Sequence, residues 1–109
     1  MSAAKRIQTQ AELFSALGDP TRLAIVRKLC AHSPQSIAAL GEDFEVSRQA
    51  VSKHLRALEG VGLVQSKREG RETLYALEIK RVKDMREYLD EVSAQWDQAL
   101  LRLKKFVER

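Results

Sequence analysis

Gln49, Ser52, Lys53 and Arg56 stand at i, i+3, i+4 and i+7. On a helix turning about 100° per residue, that spacing lines four polar heads along one stripe. Val51, Leu55 and Leu58 fall on the opposite side. Such a stripe suits recognition of a polyanion that also exposes base edges. A guanidinium can pair with guanine O6 and N7, and a carboxamide with adenine N6 and N7. An ammonium can serve a base or a phosphate. Ser47, just ahead of the stripe, is a fitting N-cap, and the helix amides beside it suit a phosphate. Arg48 adds a cation at the same end. His54 lies at the flank of the apolar side, where it suits packing or a backbone contact better than base reading.

The charge of the chain gathers in the same region. The net formal charge is +4. Between Ser47 and Arg71 lie Arg48, Lys53, Arg56, Lys67, Arg68 and Arg71, opposed only by Glu59 and Glu69. That segment therefore carries the whole excess, and the remainder is balanced. A basic patch on a neutral body points to a polyanionic partner, here double-stranded DNA.

Other chemistries find little support. There are two histidines, His32 and His54, and one cysteine, Cys30. They make no plausible catalytic triad, and no glycine-rich loop could cradle a phosphate. An enzyme is not expected, and neither a cofactor nor a metal site. A lone cysteine cannot close an internal disulfide, which fits a reducing, cytoplasmic setting. No run of apolar residues is long enough to span a membrane, and "MSAAKRIQTQAELF" lacks the apolar centre of a secretory signal. The 109 residues, 44% hydrophobic and only 6% aromatic, suit one small, mainly α domain.

Several elements must position the stripe. "TQAELFSALG" reads as a first helix, with Thr9 and Glu12 at capping-box spacing and Gly18 as its stop. "DPTRLAIVRKLCAH" restarts at once, with Asp19 as N-cap and Pro20 at the first helical position. Its expected apolar face is Leu23, Ile25, Val26, Leu29 and Cys30, which favours an inert core thiol for Cys30 over a redox sensor or a disulfide across a dimer. After Ser33-Pro34, "SIAALGEDF" reads as a short third helix burying Ile37, Leu40 and Phe44. A turn of about three residues then leads to the stripe-bearing fourth helix, a helix-turn-helix arrangement. Gly60 and Gly62 close that helix. "LVQSKRE" and "ETLYALEI" follow as two strands, with Thr73, Tyr75, Leu77 and Ile79 on one face and Gly70 in the hairpin turn. Such a hairpin is a wing, with Lys67, Arg68 and Arg71 about its tip.

From Lys80 to Val107 no glycine or proline interrupts the chain. Val82, Met85, Leu89, Val92, Trp96, Ala99, Leu103 and Phe106 alternate at spacings of three and four, a heptad seam. So long a seam in so short a chain needs a partner, and a second copy is the simplest one. The last helix offers Met85, Leu89, Val92, Trp96, Leu103 and Phe106 to that partner, because Leu13, Phe14 and Leu17 of the first helix would cover only part of the seam. The acids Asp84, Glu87, Asp90 and Glu91 read as the solvated face of that helix. The whole chain is then a single winged helix-turn-helix domain, with core and wing over 10–78 and a dimerisation helix over 80–107.

"LFSALGDPTRLAIVRKL", "IAALGEDFEVSRQAVSKHLRALEGVGLV" and "KREGRETLYAL" together resemble the ArsR family of bacterial winged-helix repressors, over about residues 10 to 78. The closing "WDQALLRLKKFV" is similar to a subgroup whose last helix carries a Trp followed by spaced leucines. The resemblance implies a homodimeric transcription regulator, usually a repressor released by an effector. It places Ser47, Arg48, Gln49, Ser52, Lys53, His54 and Arg56 on the recognition helix, Lys67, Arg68 and Arg71 on the wing, and the dimer contact on the first and last helices, with Leu13, Phe14 and Leu17 from the first. The chain departs from the metal-sensing members. Where they carry Glu-Leu-Cys-Val-Cys-Asp-Leu, it has Pro34-Gln35-Ser36-Ile37-Ala38-Ala39-Leu40, with no thiolate, and no His follows Lys80. Soft divalent ions need such ligands. Two alternatives stand beside this reading. One is a sensor with an unknown small-molecule effector near Tyr88 and Trp96. The other is a protein-interaction module that uses the last helix to bind a different chain.

Overall fold

Ser2 opens the first helix, its hydroxyl accepting from the Lys5 amide, and α1 then runs Ala3–Leu17. The helix thus begins well before the expected Thr9 cap. Thr9 lies inside it and turns its hydroxyl back to the Lys5 carbonyl, 3.0 Å away. The computed structural model describes residues 2–109. Asp19 caps α2 (Pro20–Ala31) as expected: its Oδ2 accepts from the amides of Thr21 at 2.9 Å and Arg22 at 3.0 Å.

The next segment differs from expectation. Gln35–Ser36 forms a short strand, β1, which no periodicity in two residues could announce. The third helix, α3, covers only Ile37–Gly41, so Phe44 lies beyond it in the connection. That connection spans 42–47 rather than about three residues. Phe44 still packs against the core, under the Lys28 ammonium, 5.0 Å from its ring centroid. The fourth helix, α4 (Arg48–Gly60), is capped by the Ser47 hydroxyl, which accepts from Ala50.

Two strands complete the domain, β2 (Val64–Glu69) and β3 (Glu72–Leu77). They pair antiparallel with Val64 opposite Leu77 and Glu69 opposite Glu72. β1 joins the other edge of β3 with Gln35 opposite Tyr75, giving the order β1-β3-β2. Gly70 sits at φ +64° in the two-residue turn, and no other residue of that turn has positive φ, the backbone of a type II′ hairpin. Ile79 does not extend the strand. It begins α5 (Ile79–Val107) and is 69% exposed.

One core joins these elements. Leu13, Ile25, Leu29, Leu40, Val51, Leu55, Leu58 and Leu63 are at most 2% exposed. α1, α2 and α4 each give one side chain or more, and α3 and the β2 approach close the ends. Leu23 and Cys30, expected on the same face of α2, are exposed. The buried stripe of α2 is narrower than its sequence suggests: Ile25 and Leu29 are buried, with Val26 half-buried beside them.

α5 has 29 residues, a length of about 43 Å at 1.5 Å per residue. Its first turns pack on the body through Val82 and Met85. Tyr88 meets Phe14 with ring centroids 6.5 Å apart, and Arg6 of α1 pairs with Glu91 at 2.6 Å. Beyond that point the helix leaves the body. Trp96 is 64% exposed and Phe106 68%. Among the described residues no helix is long and apolar enough to cross a membrane.

Candidate nucleic-acid interface

α4 is seated by Val51, Leu55 and Leu58, all fully buried. Burying three such side chains contributes roughly 1.5–3 kcal/mol each, so the helix cannot roll without opening the core. Its orientation is therefore fixed, and with it the outward stripe. Arg48, Gln49, Lys53 and Arg56 are exposed, Ser52 is half-buried, and the exposed Ser47 holds the N-terminus. No ion pair occupies Arg48, Lys53 or Arg56 among the described residues.

His54 stands apart from these. Its side chain is 22% exposed, and its Nδ1 lies 3.4 Å from the Arg22 guanidinium and 3.8 Å from Asp19 Oδ2. It packs at the junction of α4 with the start of α2. The Arg22 amide holds the Asp19 carboxyl below the ordinary aspartate range, and the charges of His54 and Arg22 act the same way against the cost of desolvation.

Glu59 is the only acid on α4, and it turns away from the stripe. Its Oε2 accepts from the Ser66 hydroxyl of β2 at 3.0 Å. This clasp joins the recognition helix to the wing beside Tyr75, whose phenol is pushed up by burial and by the nearby Glu59 charge. The sequence offered Glu59 only as one of two opposing charges.

The wing cations do not share one face. Strand alternation puts Arg68 with Val64 and Ser66, toward α4, and Lys67 with Gln65 and Glu69 on the other face. Arg68 bends to donate to the Gly70 carbonyl at 3.3 Å, and Arg71 stands exposed in the turn. Lys67 instead borders a cleft of about 550 Å³ with Leu29, Cys30, Pro34, Leu74 and Ile79. Cys30 is therefore an exposed thiol at a cleft rim, not an inert core residue.

The expected dimer residues also divide. Leu13 is 1% exposed and Met85 7%, both sealed in their own core and closed to a partner. Phe14 and Leu17 are half-buried against that core. Leu89, Val92, Trp96, Leu103 and Phe106 are open, and so is Ile7 of α1, which the seam pattern did not include. Among the described residues no three His, Cys, Asp or Glu side chains are grouped to hold a metal ion.

A helix-turn-helix bearing a cationic outer stripe, followed by a hairpin, defines a winged helix-turn-helix DNA-binding regulator. Comparison with known proteins agrees. A helix-turn-helix domain family model matches residues 17–66. An HTH-type transcriptional regulator of Mycobacterium tuberculosis, Rv2034, is 36% identical over 95 residues, covering 87% of this chain and 85% of that protein. The transcriptional repressor SmtB of the same species is 41% identical over 66 residues, 61% of this chain and 48% of that protein. An ArsR-like transcriptional regulator from Rhodococcus sp. RHA1 superposes with a TM-score of 0.76 at 36% identity, covering 92% of this chain and 93% of that one. The chain belongs to the ArsR family of winged helix-turn-helix transcriptional regulators.

Proposed function

We propose that the chain acts as a homodimeric repressor that reads an imperfectly palindromic operator with α4 and grips the flanking backbone with its wing. The observation that carries this reading is the two-sided chemistry of α4. One side is fully buried, and the other offers Gln49, Lys53 and Arg56 to the outside. In this reading Gln49 and Arg56 meet base edges, and Lys53 meets a base or a phosphate. Ser47, Arg48 and Ser52 meet the backbone at the helix N-terminus. Arg68 and Arg71 bind phosphates from the wing, with Lys67 contributing less because it occupies the other strand face.

The partner is a second copy. Leu89, Val92, Trp96, Leu103 and Phe106, with Ile7, Phe14 and Leu17 at the edge, give it an apolar surface. A two-fold axis is the commonest way to close such a surface. Two recognition helices would then address major-groove faces about 34 Å apart. Repression follows when the bound dimer occupies a promoter in the cytoplasm. A duplex selected from a random-sequence pool supplies the test. Its sequence should be a two-fold repeat, and Gln49→Ala and Arg56→Ala should each relax base preference. Equal affinity of wild type for selected and scrambled duplexes would sink the reading.

A further inference from the structure

The recognition helix is held from behind by a group that the base contacts do not use. His54 Nδ1 has two neighbours, the Arg22 guanidinium at 3.4 Å and Asp19 Oδ2 at 3.8 Å. Both neighbours are fixed. Asp19 Oδ2 caps α2, accepting from Thr21 and Arg22. Arg22 Nε donates to the Ala16 carbonyl at the end of α1. Three helices thus converge on one imidazole, a side chain that exists as either a neutral or a cationic ring.

The two protonation states make different demands. A neutral His54 accepts from Arg22 through its Nδ1 lone pair, which leaves the ring proton on Nε2. An imidazolium has no lone pair to offer. Its Nδ1–H must donate, Arg22 repels it, and the Asp19 carboxylate is the acceptor within reach. Protonation therefore exchanges an Arg22 contact for an Asp19 contact on the flank of α4. Nearby charges are few: Lys53 precedes His54 on α4, and Glu12 of α1 lines a groove with Arg22 and Ala57. A duplex brought against the outer stripe adds a strong negative field, which favours the cationic ring.

We propose that His54 is a positioning residue of the recognition helix that couples DNA binding to proton uptake, with the imidazolium seated on Asp19 in the DNA-bound form. This rests on the assignment of α4 as the DNA-reading helix. Asp19 and Arg22 belong to the device, although neither need touch DNA. The chain would then bind its operator more tightly as the medium acidifies, through a group set behind the interface.

The probe is the duplex selected by the wild-type protein, titrated at constant ionic strength between about pH 8 and pH 6. Wild-type affinity should rise about tenfold across that interval, less than the limit for one proton taken up on binding. His54→Asn keeps a hydrogen-bonding head near the δ position but cannot titrate, and its affinity should be flat. Asp19→Asn still caps α2, so it should fold with unchanged helicity yet lose most of the slope. His32→Asn should keep the full slope. A flat wild-type profile, or a slope that survives in His54→Asn, would overturn the proposal. So would a slope abolished by His54→Asn but intact in Asp19→Asn, because His54 would then act by direct phosphate contact. Failure to select any duplex at either pH would instead remove the α4 assignment, and this inference with it.

Discussion

The body and the last helix treat the same kinds of residue in opposite ways. In the body, leucines at helical spacing are closed: Leu13, Leu29, Leu40, Leu55 and Leu58 are at most 2% exposed. In α5 the pattern is as regular, yet Leu89 is 50% exposed and Leu103 58%. Periodicity alone cannot tell these cases apart, because it reports which side of a helix is apolar and not what lies against it. The difference is one of supply. Helices α1 to α4 and the hairpin enclose the body's core, whereas α5, past the first turns where Val82 and Met85 join that core, meets α1 near Tyr88 and Glu91 and then leaves the body.

The sharpest way to break this contrast is to damage each side and ask what fails. Trp96→Ala combined with Leu103→Glu should dissociate the dimer, at a cost of about 3–5 kcal/mol for the ring alone once buried by the partner. The monomer should keep its helix content and lose operator affinity. Sedimentation and circular dichroism on one sample would separate those outcomes, and a stable dimer would erase the contrast. Leu55→Ala should do the reverse. It should cost about 2–5 kcal/mol of unfolding free energy in a denaturant titration, because a cavity opens beneath α4.

Effects on the DNA face should be smaller and separable. Gln49→Ala and Arg56→Ala should each cost about 1–3 kcal/mol on the selected duplex and much less on a scrambled one. Arg71→Ala should weaken both duplexes alike and lower the salt slope by about one unit, with Lys67→Ala showing less. Equal losses for Lys67 and Arg71 would contradict the two-faced wing. Zinc or cadmium at one equivalent should leave affinity unchanged, since among the described residues no three His, Cys, Asp or Glu side chains are grouped to bind it. A chelator-reversible loss of affinity would show otherwise.

The tie between α1 and α5 has its own pH signature. The Arg6 hydrogen bond holds the Glu91 carboxyl below its ordinary value, although the pair is largely exposed. A carboxyl depressed in the folded state lends stability above its unfolded pKa and loses it as the pH falls through the folded one. Acidification below the ordinary glutamate range should therefore loosen α1 from α5, and Glu91→Gln should remove that part of the thermal-melt profile.

What was legible in the residues follows from how local each signal is. The Asp19-Pro20 start, the Ser47 cap, the outer stripe and the Gly70 turn all depend on neighbours within one or two turns, and they read correctly. The start of α1 did not, because Thr9 and Glu12 satisfied a capping pattern that Ser2 had already made unnecessary. β1 was invisible because two residues become a strand only when β3 offers an edge. Leu13 and Met85 were assigned outward because a seam says nothing about which of its members the chain itself consumes. Cys30 was taken as core because its helix face is apolar, yet it lines an open cleft with Lys67 and Leu74 of the hairpin. The Asp19–His54 and Glu59–Ser66 contacts depend on three-dimensional meeting, and one of them spans 35 positions of sequence.

The open half of α5 also has a consequence for dosage. If its apolar side is finished by a second copy, the DNA-competent species is second order in protomer. Below the dissociation constant of the pair, halving the protein leaves a quarter of the dimer. Operator occupancy would then fall away abruptly as cells dilute the protein by growth, and a promoter under its control would behave as a threshold device with no effector at all.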